Sequence, residues 1–354
     1  MREPKMAKSP AEIRELRAMH PKMRERDFAR IHGISEAELT AAFVGESVVR
    51  LNPDVAVLLE GLPACGEVMA LTRNESAVHE KIGPYEDVKV GPMSALVLGD
   101  EIDLRIFPKK WASGFAVRKD DGEGGVRHSL QFFDAAGNAV HKVHSRPATN
   151  MDAWNELAAR LRADDQSQTV EIGEVPDAGA VDAAAAANAE ELRENWSRLT
   201  DTHQFFGMLK KLNLERLQAM RMVGNQYAWP LEPSATEQLM HGAAGISLPI
   251  MVFVGNAGCI QIHGGPVAKV EPMGPWLNVL DETFHLHLRL DQIVEVWAVR
   301  KPTSDGHVTS VECYGADQKL IIQFFGKRVE GHDERPEWRA LVESLPALAQ
   351  STAA

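Results

Sequence analysis

The chain carries long stretches that return at one fixed distance. Ala116-Val117-Arg118-Lys119 reappears as Ala298-Val299-Arg300-Lys301, 182 residues on, and Asn74 in Thr72-Arg73-Asn74-Glu75 reappears at the same offset as Asn256 in Val254-Gly255-Asn256-Ala257. A third pair, Phe133-Asp134-Ala135 and Tyr314-Gly315-Ala316, lies 181 apart, one deletion from that register. A long repeat present only twice reads as duplication of a whole domain, unlike the short, many-copy periods of solenoids and propellers. The 354 residues give each copy enough chain for its own core.

Within each copy, helical patterns come first and strand patterns follow. Ile13-Arg14-Glu15-Leu16 and the segment Leu209 to Met220 read as helix; Val68-Met69-Ala70-Leu71 and Ile250-Met251-Val252-Phe253 read as strand, broken by turn signals such as Gly255-Asn256 and Asp305-Gly306. Helices segregated from antiparallel strands make an α+β domain. The expected organisation is a first repeat over residues 1–163, an acidic, alanine-rich linker over 164–190, and a second repeat over 191–354. The linker holds no Lys or Arg and contains the run Ala183 to Ala187, whose helix propensity feeds a helix carrying Glu191, Leu192 and Trp196.

A net charge of −12 counts against broad adhesion to nucleic acid or membrane, while leaving room for a local basic pocket. No apolar run approaches the roughly twenty residues that span a bilayer, and the N-terminal Arg2, Glu3, Lys5 and Lys8 lack the apolar centre of a signal peptide, so a cytoplasmic location is expected. Cys65, Cys259 and Cys313 are odd in number and lack metal-type spacing, which favours buried thiols over disulfides or structural zinc.

The copies differ most in their first helical segment. Aligning Phe28 with Phe206 and Leu39 with Leu217 places His203 opposite Glu25, so only the second copy has this histidine. On a helix, His203, Phe206, Gly207 and Lys210 share a face. Gly207 removes the side chain that would keep a flat ligand off that face, at a helix-propensity cost of about 1 kcal/mol. Alone, a helical histidine is more often a surface or a satisfied core residue.

Several motifs together resemble the bacterial haem-utilisation proteins of the HemS, ChuS and PhuS type. They are Asp201-Thr202-His203-Gln204-Phe205-Phe206-Gly207, Met251 to Asn256, Glu295 to Thr303 followed by Asp305 to Ser310, and Gly99-Asp100-Glu101-Ile102-Asp103-Leu104-Arg105. The resemblance covers nearly the whole chain. It implies two similar α+β halves, each with a large antiparallel sheet and flanking helices, and haem held between the halves. It further implies His203 as axial ligand of the haem iron, with a neutral imidazole nitrogen as donor, and Arg105 on the opposite haem face, a catalytic cation that stays protonated. Arg216, Lys301, Gln323 and Arg328 map to the group that binds the haem propionates, and Phe107 and Phe253 to apolar walls. Phe325 departs from the pattern, where a tyrosine is expected, which puts one propionate hydrogen bond in question. Read without the resemblance, Arg216 is a solvated helix charge, Lys301 shares a structural role with Lys119, and the phenylalanines are core.

Two other constellations carry weaker signals. His285 and His287 alternate with apolar residues and project from one strand face, without a third ligand nearby. Phe28 to Leu39 reads as helix, Gly33 turn, Ser35 cap, helix, the pattern of DNA readers, but Glu36 and Glu38 open its second helix and repel phosphate.

The reading that follows is a cytoplasmic haem-binding protein that degrades haem to release iron, using an external electron donor, with haem arriving from an importer. The alternative is a non-catalytic carrier that passes haem to a separate haem oxygenase; a haem-responsive DNA-binding regulator is more remote. No membrane insertion is expected, and a homodimer is compatible with the sequence.

Overall fold

The computed structural model describes residues 8–120, 125–173, 188–328 and 331–348. The chain divides into two compact units, the first built from Met1–Arg73, Glu80–Val175 and Gly255–Gln261, the second from Asn74–His79, Pro176–Val254 and Ile262–Ala354. Residues 174–187 of the expected linker lie outside the described residues.

The first unit begins with three helices. α1 (Pro10–Met19) opens on a capping box between Ser9 and Glu12. α2 (Glu25–His32) ends at Gly33, whose φ of 62° reverses the chain into α3 (Glu36–Ala41). The Ser35 side chain caps α3 together with Glu38. Ala37, Leu39 and Ala41 of this short helix are buried, and Glu36 is ion-paired with Arg73 and lies 3.8 Å from Lys142. The hairpin is therefore packed into its own unit as scaffold.

The strands are β1 (Val48–Leu51), β2 (Val68–Arg73), β3 (Ala77–Gly83), β4 (Val88–Val90), β5 (Ala95–Leu98), β6 (Asp103–Ile106), β7 (Ser113–Asp120), β8 (Val126–Phe133) and β9 (Ala139–Ser145). They pair antiparallel in the order β1-β7-β8-β9-β2, with β4-β5-β6 a meander. Helices α4 (Val55–Gly61) and α5 (Met151–Leu161) present Leu58 and Leu59, and Trp154, Leu157 and Leu161, to one core with Leu130 and Phe132 of the sheet and Val97 and Leu104 of the meander.

The second unit repeats the plan. α6 (Ala189–Ser197) carries Glu191, Leu192 and Trp196 as expected, and α7 (Gln204–Lys211) and α8 (Arg216–Val223) follow. Strands β10 (Ala228–Leu231), β11 (Ile250–Gly255), β12 (Cys259–Gly265), β13 (Val270–Met273), β14 (Trp276–Leu280), β15 (Phe284–Arg289), β16 (Glu295–Thr303), β17 (Gly306–Tyr314) and β18 (Leu320–Gly326) complete it with α9 (Ala235–Gly245) and α10 (Pro336–Glu343). The order β10-β16-β17-β18-β11 and the meander β13-β14-β15 match the first unit strand for strand. The fold is α+β, with two antiparallel sheets and flanking helices.

The repeated landmarks have structural causes. Asn256 Oδ1 accepts from the N–H groups of Gly258 and Cys259, both at 3.0 Å, while Nδ2 donates to the carbonyls of Arg73 and Val140 at 2.9 and 2.8 Å. Asn74 likewise accepts from Ser76 and Ala77 and donates to the Ile321 carbonyl at 2.7 Å. Each asparagine closes its own turn and anchors it in the unit that holds it. The pair at offset 181 sits beside β-bulges, between Phe132 and Phe133 and between Cys313 and Tyr314. The three cysteines are all buried and free.

The helical alignment needs correction. The Leu209 to Met220 pattern is two helices, interrupted by Asn213 at φ 53°. Asn213 takes the place of Gly33, and the bonds Ile34 N–H to Ala29 O and Leu214 N–H to Leu209 O coincide at an offset of 180, not 178. Phe28 is fully buried whereas Phe206 is 75% exposed, so the two are not equivalent. His203 therefore stands opposite Met23, not Glu25. The left-handed turn, which few residues tolerate, sets the register more firmly than matched aromatic residues do.

Candidate functional site

His203 occupies the N-cap of α7, with helical φ −68° and ψ −22°, one residue before the helix rather than within it. Asp201 fixes it twice. One carboxylate oxygen accepts the His203 backbone N–H at 2.7 Å and lies 2.7 Å from ring Nδ1. These two hydrogen bonds, with the charge of Arg328 adding to them, hold the Asp201 carboxyl below its usual range. The imidazole is 94% exposed. A side chain built at Gly207 would meet nothing within 4 Å, and Phe206 beside it is open to solvent. Phe205, by contrast, is buried edge-on against Trp196, ring centroids 4.7 Å apart, and anchors the helix. A rigid histidine thus borders an open, partly apolar surface.

Beneath Phe205 lies a buried charge network. Glu312 of β17 is fully enclosed and accepts Arg216 Nε at 2.7 Å and Nη2 at 2.6 Å, Lys301 Nζ at 3.1 Å, Ser310 Oγ at 2.9 Å and the Tyr314 hydroxyl at 2.7 Å. Burial opposes ionisation of Glu312, but Arg216 and then Lys301 outweigh it and keep the carboxyl well below the usual range. Burial pulls Lys301 down to about 8 despite the Glu312 charge. Both cations also lie against the Phe205 ring, at 5.4 Å for Arg216 and 4.5 Å for Lys301. Arg216 is partly open and bonds Glu312 through Nε and Nη2; Lys301 is 3% exposed.

Neighbouring strands supply the remaining predicted residues. Gln323 of β18 faces Glu312 across one strand pair and Phe253 across the other. Phe325, two residues on, packs its ring 5.0 Å from Phe253. Gln323 Nε2 and Arg328 Nη1 are buried donors without a hydrogen-bond partner among the described residues. Unpaired buried donors are costly, and a ligand offering oxygen acceptors would relieve them.

In the first unit the same positions carry different chemistry. Gln131 and Ser129 stand where the second repeat has Glu312 and Ser310, and Gln131 donates to Ser129 at 2.9 Å. Lys119 is exposed and bonded to Glu25 at 3.0 Å, unlike the enclosed Lys301, and Glu36 takes the place of Arg216. Arg105, on β6, is half-buried, paired with Asp103, and donates to the Leu104 carbonyl at 3.1 Å. Phe107 follows it, its backbone N–H bonded to the Gly258 carbonyl at 3.0 Å. His285 and His287 share a face of β15, where His287 Nδ1 lies 2.6 Å from Asn278 Oδ1. No group of three or more potential metal ligands occurs among the described residues.

The family profile described as Haemin-degrading HemS.ChuX domain matches this chain twice, over residues 33–161 and 213–345. The chain belongs to that family. The hemin transport protein HmuS of Yersinia pestis is 41% identical over 333 residues, covering 94% of this chain and 95% of that protein. The fold superposes on holo-PhuS, a heme-binding protein from Pseudomonas aeruginosa, with TM-score 0.92 and 45% identity, covering 96% of this chain and 100% of PhuS. It superposes on the heme-degrading enzyme ChuS of Escherichia coli O157:H7 with TM-score 0.87 and 40% identity, covering 94% and 97%.

For this family member, His203, Arg216, Lys301, Gln323, Phe325, Arg328 and Phe253 all belong to the second unit, while Arg105 and Phe107 belong to the first. Sequence reasoning missed Glu312 and the pairing role of Asp201. The spacing Ser310, Glu312, Tyr314 on one strand face was the available signal, because three polar residues aimed at a core side imply a buried network.

Proposed function

We propose that this chain binds haem in the cytoplasm and degrades it to release iron, taking electrons from an external donor. The observation that carries the reading is a combination within the second unit: a histidine pinned at Nδ1 at the start of α7, an open glycine one turn on, and unpartnered buried donors at Gln323 on β18 and Arg328 after it. A planar dicarboxylate with a metal at its centre suits each of these. His203 Nε2 ligates the iron, Arg216, Gln323 and Arg328 receive the propionates, Lys301 adds its charge from below, and Phe253 and Phe325 line the apolar ring. Phe107 adds a further apolar wall, and Arg105 supplies the catalytic cation. Haem itself supplies the oxygen chemistry; the protein holds, orients and polarises. PhuS is described as haem-binding and ChuS as haem-degrading, which supports both the ligand and the activity.

A carrier is the second reading, favoured by the 94% exposure of the His203 ring and by the transport name of HmuS. The two assign Arg105 different work. In an enzyme, loss of one preorganised donor costs about 10²–10³ in rate. The wild-type haem complex with ascorbate, in air and with catalase, is expected to lose its Soret band and release chelatable iron, and Arg105→Leu to bind haem but react far more slowly. Catalase removes free peroxide, which bleaches haem unaided. Loss abolished by catalase, or equal rates in both proteins, would leave the carrier.

A further inference from the structure

We propose that Asp201 is a positioning residue that fixes the tautomer of His203 and raises its donor strength toward the haem iron. This rests on His203 being the iron ligand. An ionised carboxylate only accepts hydrogen bonds, so at 2.7 Å from Nδ1 it requires the ring proton on that nitrogen and leaves the Nε2 lone pair facing outward. The same oxygen accepts the His203 backbone N–H at 2.7 Å, so the carboxylate and imidazole are held as one rigid piece although both are exposed. One turn on, a side chain built at Gly207 would meet nothing within 4 Å, so the surface beside this pair is open. A carboxylate behind a ligating imidazole increases its basicity, which favours ferric over ferrous iron.

The other charge that acts on Asp201 is Arg328, in the segment after β18. It adds to the stabilisation of the carboxylate without displacing it from the ring, because both side-chain hydrogen bonds of Asp201 run to His203.

The test uses the full chain loaded with haem, comparing Asp201→Asn, Asp201→Ala and His203→Ala. Asp201→Ala is expected to weaken ferric haem binding roughly 10- to 100-fold, to lower the ferrous iron–histidine stretching frequency, and to move the reduction potential positive. Each tenfold loss of ferric over ferrous affinity reads as about 59 mV. Asp201→Asn keeps the turn-capping acceptor and shifts all three in the same direction by less. Parental potential, frequency and affinity in both Asp201 variants, with ligation lost in His203→Ala, would overturn the inference alone. A parental spectrum in His203→Ala would instead remove the ligand assignment on which it stands.

Discussion

Replacing Glu312 by glutamine tests whether the buried network holds the second unit together. The carboxylate is fully enclosed and serves two cations and two hydroxyls, and the substitution leaves Arg216 and Lys301 facing a neutral amide. Removing one partner of a buried ion pair costs about 3–5 kcal/mol. Two features place this case at the lower end. The Arg216 side chain is 28% exposed and can turn to water, and Lys301, already lowered to about 8, can shed its proton. About 3 kcal/mol lowers the melting temperature of a unit this size by about 6–12 °C. The assay is calorimetry of the ligand-free protein beside Glu25→Gln, whose carboxylate pairs with Lys119 and Lys142 but is 34% exposed and is expected to cost under about 1 kcal/mol. Adding Lys301→Met to Glu312→Gln removes one orphaned charge and should recover part of the loss. A Glu312→Gln transition within about 2 °C of the parent would refute the reasoning.

The Glu312 carboxyl titrates below its ordinary value of 4.5 in the folded state, so its contribution is present above that pH and lost as pH falls through the folded value; the parent should lose stability more steeply below about 4.5 than Glu312→Gln. His203→Ala should weaken haem binding and change the ligand-field spectrum, whereas Ala at His263, His285 or His287 should not, as absorption titrations would show; equal spectra would dismiss the ligand. Arg216→Ala and Arg328→Ala should each lose roughly 10- to 150-fold in haem affinity, the equivalent of about 1.5–3 kcal/mol per charge-assisted bond, and much less for haem dimethyl ester. Equal losses for both ligands would return these cations to a structural role.

The duplication and the α+β class were legible because they depend on local pattern. Strand alternation, turn residues and the spacing of Asn74 and Asn256 survive in one dimension. The helix register was not legible. Matching Phe28 to Phe206 looked sound until burial separated them, and the turn at Gly33 and Asn213 decided it. Sequence alone also left Arg216 as a solvated charge and Lys301 as a copy of Lys119. Only the tertiary structure shows Glu312, 96 residues from Arg216 and 11 from Lys301, drawing both into one buried network. Its physical basis is desolvation: charges removed from water must find one another, and which ones meet depends on strand pairing across the sheet, not on distance along the chain.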